Sequence, residues 1–164
     1  MKSRSLYLIQ AALIAAVYAV LTLLLKPFGF GVIQFRIAEV LTVLPAILPS
    51  SIPGLFIGCI LANFFGGFGP IDIIFGSLAT LIAAFSTHFL RRSKFLFPLP
   101  PAVFNGLIVG SYIYLLFDKT YPWLLTVSFI ALSELVICYL LGLPLITFIK
   151  GNRVLREKLN IDDE

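Results

Sequence analysis

Between Arg4 and Lys26 the chain runs through residues 5–25 without a Lys, Arg, Asp or Glu. Inside a lipid bilayer every backbone N–H and C=O must find its partner within the protein, so such a run can cross only as a helix. Roughly 20 apolar residues are enough to span the hydrocarbon. The basic start also resembles a secretory leader, but no small-x-small cleavage pattern closes the run, and it reads as a first transmembrane helix. The rest of the chain repeats the theme. Of 164 residues 60% are hydrophobic and 12% charged, with a mean hydropathy of +1.05; a soluble domain carries about 25% charged residues. The expectation is an all-α integral membrane protein forming one domain over residues 1–164, embedded in the lipid bilayer.

Turn signals divide the apolar stretches into six expected transmembrane helices, over about 5–25, 33–48, 53–67, 71–90, 101–117 and 123–149, with a polar tail over 150–164. Pro27, Gly29 and Gly31 end the first. Pro45, Pro49 and Pro53 bend or close the second, because proline lacks the N–H that a helix interior needs. Gly66, Gly67, Gly69 and Pro70 follow the third, Arg91, Arg92 and Lys94 the fourth, and Asp118–Trp123 the fifth. Small residues recur four apart at Ala11, Ala15 and Ala19, with Ala12 and Ala16 beside them, and again at Gly54, Gly58 and Ala62. Such stripes let helices approach closely in lipid. Six crossings place both termini on one side. Nine of the twelve Lys and Arg residues fall there: Lys2, Arg4, Arg91, Arg92, Lys94, Lys150, Arg153, Arg156 and Lys158. Positive charge collects on the cytoplasmic side, so both termini are expected in the cytoplasm. The net charge of +4 is thus a topology signal, and nucleic acid is not an expected partner.

Four charged residues remain at membrane depth: Arg36, Glu39, Asp72 and Glu134. One cation against three acids leaves an imbalance of −2 if all are ionised, which low dielectric disfavours. Either some carboxylates hold protons, or Asp72 is wetted at the surface, or something basic completes the site. Intramembrane ionisable residues point by default to function, and Gln34, Arg36, Glu39, Asn63 and Asp72 all fall in the outer half. Together with Asn105 and Glu134 they suit a polar, hydrogen-bonding and cationic small molecule, with Phe28, Phe30, Phe35, Phe64 and Phe68 as stacking walls. Plainer roles stand beside these. Arg36 and Glu39, three apart, could form a structural ion pair. Asp72 could cap the fourth helix, and Asn63 and Asn105 could merely bridge helices. Glu134 is hardest to explain that way, since no cation lies near it in sequence. His88 reads as an interface residue beside the basic cluster, and Cys59 and Cys138 as small core residues.

No G-x-x-x-x-G-K-[ST] loop, H-E-x-x-H pair or Cys/His cluster occurs, so neither this mode of ATP hydrolysis nor metal catalysis is expected, and no cofactor. No internal repeat of the kind that builds many secondary transporters stands out. These absences fit a small binding protein that borrows its energy from a partner.

The runs Arg36-Ile37-Ala38-Glu39, Ile52-Pro53-Gly54-Leu55-Phe56-Ile57-Gly58-Cys59, Ala62-Asn63, Ile71-Asp72-Ile73-Ile74-Phe75-Gly76-Ser77-Leu78-Ala79-Thr80, Pro100-Pro101-Ala102-Val103-Phe104-Asn105 and Cys138-Tyr139-Leu140-Leu141-Gly142-Leu143-Pro144 resemble the QueT family, substrate-binding S components of energy-coupling factor (ECF) transporters. The resemblance spans residues 36–144. Ser133 stands where the family pattern expects glycine, which bears on local packing. The resemblance implies the ECF S-component fold, not an enzyme, in the cytoplasmic membrane. It implies a queuosine precursor, a 7-deazaguanine base, as ligand, and a transmembrane coupling subunit with two cytoplasmic ATPases as partners. It also turns Ala11, Ala12, Ala15, Ala16 and Ala19 into an expected docking surface for the coupling subunit, and Arg36, Glu39, Asn63, Asp72, Asn105 and Glu134 into expected substrate contacts.

Overall fold

The computed structural model describes residues 2–26, 35–66 and 68–161, all of them in helices or the turns between. The first helix, α1 (Lys2–Leu24), is followed by a 3₁₀ helix (Ile37–Ala46) and by α2 (Ser51–Gly66). Three longer helices come next: α3 (Asp72–Phe89), α4 (Leu99–Leu116) and α5 (Trp123–Gly151). A short α6 (Arg153–Leu159) closes the chain. Helices α1, α3, α4 and α5 are long and apolar enough to cross a membrane, whereas the 3₁₀ helix and α2 are apolar but shorter. At about 2.0 Å per residue for a 3₁₀ helix and about 1.5 Å for an α-helix, these two reach only ~20 and ~24 Å against the ~30 Å hydrocarbon layer. The proline–serine turn at 45–51 and the glycines from 66 onward cut both short.

The 3₁₀ helix differs from the α-helix expected over 33–48, and the sequence shows why. Arg36, its cap, is extended at φ −96°, ψ 98°. The Thr42 hydroxyl bonds back to the Glu39 carbonyl three residues earlier at 2.6 Å, favouring the tighter ring. Pro45 contributes no N–H, and the exit is shared, with Ile47 and Leu48 N–H both donating to Leu44 O at 2.9 and 2.8 Å. Gln34, Phe28 and Phe30 lie outside the described residues.

This slender helix sits in the middle of the bundle, packed on α1, α2, α3 and α5. Ala38 and Val43 are fully buried and join Tyr18, Leu55, Cys59, Cys138 and Ile146 in the larger core. A smaller core gathers Ala79, Val109, Tyr112, Ile113 and Ile130 between α3, α4 and α5. Leu8, Leu13, Phe64, Phe89, Leu132, Leu140 and Phe148 lie exposed on the outside, the surface a lipid-facing bundle presents. At one end the Trp123 indole N–H donates to Ser111 Oγ at 3.0 Å. At the other, Gln10 Nε2 donates to Leu159 O at 2.9 Å and Ser50 Oγ to Gln10 Oε1 at 2.7 Å, so the two ends of the described chain meet. Residues 153–159, expected as part of a polar tail, are helical because Asn152 caps them, its Oδ1 accepting from Leu155 N–H at 3.2 Å.

The tightest seam joins α1 to α2. A Cβ built on Gly54 would lie 2.7 Å from Ala11 O, and one on Gly58 would lie 2.9 Å from Ala15 O. Both obstacles are backbone, which cannot step aside. Gly58→Val should therefore force the helices apart at a cost of about 1–3 kcal/mol. In detergent its thermal midpoint is expected several degrees below wild type, while Gly151→Ala, where an added Cβ meets nothing within 4 Å, shows no such fall.

Candidate functional site

Three helices that carry polar site residues contain a widened π turn: Asp72–Gly76 in α3, Asn105–Val109 in α4 and Cys138–Gly142 in α5. A π turn adds one residue to the helical ring and redirects the side chains at its edge; such turns recur at functional sites. Asp72 and Asn105 open the first two, and Glu134 O accepts the N–H of Cys138 that opens the third. Each turn also contains or ends in glycine. Gly142 lets α5 close on the 3₁₀ helix, where a Cβ would meet Val43 Cγ1 at 2.7 Å.

Six expected substrate contacts, Arg36, Glu39, Asn63, Asp72, Asn105 and Glu134, are all buried. They form two linked groups. In the first, Arg36 Nη1 donates to Asn63 Oδ1 at 3.3 Å and Nη2 stands 3.8 Å from Asp72 Oδ2. Asn63 Nδ2 donates to Asp72 O at 2.9 Å, and the Tyr112 hydroxyl donates to Asp72 Oδ1. Asp72 is wholly buried, so it is neither wetted at the surface nor turned outward as a helix cap. Arg36 precedes the 3₁₀ helix in extended backbone, so the i, i+3 argument for a pair with Glu39 on one helix face does not apply.

In the second group the Tyr18 hydroxyl donates to Glu39 Oε1, and Asn105 Nδ2 donates to Glu134 Oε1 at 3.0 Å. Glu39 and Glu134 act on one another electrostatically and both feel the Arg36 charge. Glu39 Oε2, Glu134 Oε2 and Asn105 Oδ1 are buried without a hydrogen-bond partner among the described residues. Buried polar atoms are nearly always satisfied, and one left unsatisfied costs about 1–3 kcal/mol. These three oxygens come from three elements, the 3₁₀ helix, α4 and α5.

The tyrosines were not singled out by sequence; aromatic residues on these helices read as core or lipid contacts. Their spacing held a signal. Tyr18 is seven residues after Ala11 and Tyr112 seven after Asn105, which is two turns along one face. Cys59 and Cys138 are free and buried; Cys59 Sγ accepts from Thr80 Oγ1 at 3.3 Å, and the Cys138 thiol donates to Glu39 O at 3.8 Å. The expected phenylalanine walls divide. Phe64 is 67% exposed and Phe35 38% exposed, so neither lines the carboxylates. Phe68 packs edge-on against Phe117, and Phe117 against Tyr112, with ring centroids 5.0 and 6.3 Å apart. The alanines divide too. Ala11, Ala15 and Ala19 are buried, the first two against the glycines of α2, while Ala12 and Ala16 lie on the exposed side.

Fold and site together define an all-helical integral membrane protein enclosing a polar cluster of one guanidinium, three carboxyl groups and two amides. Residues 8–151 match the QueT transporter family, and the chain belongs to that family. It is 35% identical, over 83 residues, to the queuosine precursor transporter QueT of Lactococcus lactis subsp. cremoris (strain MG1363), a match covering 49% of this chain and 48% of that protein. The chain thus spans about half the length of that relative. No solved structure matches.

Gly76 tests the first group. A Cβ there would stand 2.7 Å from Asn63 Nδ2 and 2.9 Å from Asp72 Oδ1. Gly76→Ala should displace the Asn63 amide from the Asp72 carbonyl. Tyr112→Phe should remove the phenol donor, at a cost of about 1–3 kcal/mol for the buried acceptor left behind. Both are expected to lower the thermal midpoint; an unchanged midpoint for both would mean that this network does not brace the site.

Proposed function

We propose that the chain is the substrate-binding membrane subunit of an ECF-type importer and captures a queuosine precursor from the extracellular side. The observation that carries this reading is the trio of unsatisfied acceptors, Glu39 Oε2, Glu134 Oε2 and Asn105 Oδ1. A 7-deazaguanine base offers matching donors. Its ring N–H and exocyclic amine lie side by side, and a carboxylate accepts both. Its carbonyl oxygen wants a donor, which Arg36 or an asparagine amide supplies. The name of the Lactococcus relative and membership of the QueT transporter family support this substrate class.

The charge tally favours the aminomethyl over the cyano form of the base. Arg36 is committed to Asp72, which leaves Glu39 and Glu134 to share what remains of its field. A second acid facing the ligand's ammonium restores balance that a neutral nitrile cannot.

In this reading the chain crosses the membrane six times, with the 3₁₀ helix and α2 completing the count and both termini in the cytoplasm. It works with a transmembrane coupling subunit and two cytoplasmic ATPases, and it is not itself an enzyme. Of the expected docking alanines, Ala12 and Ala16 are the pair whose exposure suits contact with the coupling subunit. The site residues are Arg36, Glu39, Asn63, Asp72, Asn105 and Glu134, with Tyr18 and Tyr112 as braces. The alternative is a stand-alone transporter of another small polar solute such as a purine or vitamin. Uptake that persists in cells lacking the coupling subunit and ATPases would favour it.

Calorimetric titration of the purified protein with the two bases tests the charge argument. A hydrogen bond to a charged group contributes about 1.5–3 kcal/mol, so Glu134→Gln should weaken aminomethyl binding roughly 10- to 150-fold. The cyano base should lose less. Tighter binding of the cyano base, or indifference to Glu134→Gln, would overturn the charge argument; failure of every deazapurine to bind would overturn the substrate class.

A further inference from the structure

At the end of the bundle where the chain ends meet lies a cavity of about 1150 Å³ that none of the three buried carboxyl groups lines. Its walls combine apolar side chains, Phe97, Leu143 and Ile146 among them, with His88, Arg91, Arg92, Lys94 and Lys150. No carboxylate lines it among the described residues. The cations come from two places distant in sequence, the α3–α4 turn and the end of α5, and the fold brings them to one opening.

One of these cations is held in place. Arg91 Nη1 donates to His88 Nε2 at 2.7 Å, so the ring must donate from Nδ1, and it does so to Pro45 O at 2.8 Å. His88 thus links the guanidinium to the last turn of the 3₁₀ helix. Beside the lining residues in sequence, Phe89, Leu90, Phe95 and Leu96 are exposed, Phe89 and Phe95 by nearly four-fifths. Large apolar residues beside a basic cluster at the end of membrane-spanning helices mark the headgroup level of a bilayer.

We propose that this cleft is a binding site for an anionic phospholipid, with Arg91, Arg92, Lys94 and Lys150 receiving the phosphate headgroup and the Phe97–Leu143–Ile146 wall receiving the start of an acyl chain. Two features favour lipid over a soluble anion. Part of the cleft lining is apolar, which inorganic phosphate cannot use, and exposed phenylalanines stand next in sequence to its cations. Basic pockets between helices near the membrane surface attract acidic headgroups. The inference is independent of the substrate proposed above, because it shares no residue with the carboxylate site.

The test compares the full chain in nanodiscs of phosphatidylcholine alone and with phosphatidylglycerol added, reading thermal midpoint and lipid retained in native mass spectrometry. A ligand that binds only the folded state raises the midpoint. Wild type should show a rise of several degrees with phosphatidylglycerol and should retain that lipid. Arg92→Gln/Lys94→Gln should lose more than half of the rise while keeping the wild-type midpoint in phosphatidylcholine alone. Arg153→Gln/Lys158→Gln, cations at the same end that do not line the cleft, should keep it. Equal loss in both variants would reduce the effect to general surface charge and overturn the proposal. So would an equal rise on adding inorganic phosphate to phosphatidylcholine discs, since the site would then take the free anion. If the Arg92/Lys94 variant is unstable, Lys150→Gln alone must show a partial loss of retained phosphatidylglycerol; full retention would overturn the proposal as well.

Discussion

Burying Arg36 beside Asp72 is the interaction on which the rest of the site depends. A guanidinium inside a bundle of apolar helices is tolerable only with an acidic partner and with its N–H groups satisfied. Asp72 supplies the acidic partner at 3.8 Å, Asn63 Oδ1 accepts from Arg36 Nη1, and the Tyr112 hydroxyl donates to the other Asp72 oxygen. These contacts tie the start of the 3₁₀ helix to α2, α3 and α4 at once. They also settle what is left over. With the cation engaged, Glu39 and Glu134 keep one oxygen each toward the interior, and Asn105 keeps its carbonyl.

The means of holding such a cluster in a membrane is local distortion of helices that are otherwise continuous. The π turns at Asp72, Asn105 and Cys138 bring polar residues to the interior without breaking the backbone hydrogen-bond ladder, which lipid would not forgive. Glycines at 76, 106 and 142 give the space. Proline at 144 follows the third π turn, where a widened helix can accept the missing N–H. The 3₁₀ helix serves the same end differently. Being narrower and longer per residue than an α-helix, it fits among four neighbours and carries Glu39 at one end and the Pro45 carbonyl at the other. Through that carbonyl it also meets His88 and the basic cleft, so one element joins the two polar regions of the molecule.

Helix class, the approximate positions of the apolar runs and the charged residues at depth were all legible in the amino-acid order, because hydropathy and turn chemistry are local. All six polar candidates proved to be buried, for the same reason: a charge in an apolar run has few other places to go. What was not legible concerns partners. Arg36 and Glu39 look like a pair by spacing, yet the extended backbone at Arg36 sends its side chain to Asp72. Ala11 and Ala15 look as available as Ala12 and Ala16, and only the approach of Gly54 and Gly58 separates an inner stripe from an outer one. Phe64 looked like a wall and faces outward.

The sequence by itself determined a membrane-embedded helical protein, its membership of the QueT transporter family and a surplus of acid over base at membrane depth. Those properties follow from composition, run length and short motifs, none of which needs a fold to exist. Tertiary structure alone decided which acid holds Arg36, which oxygens stay open, that two tyrosines brace the carboxylates, and that cations from the α3–α4 turn and the end of α5 share one cleft. These depend on residues tens of positions apart in the chain, and only the packing of helices around the 3₁₀ segment brings them together.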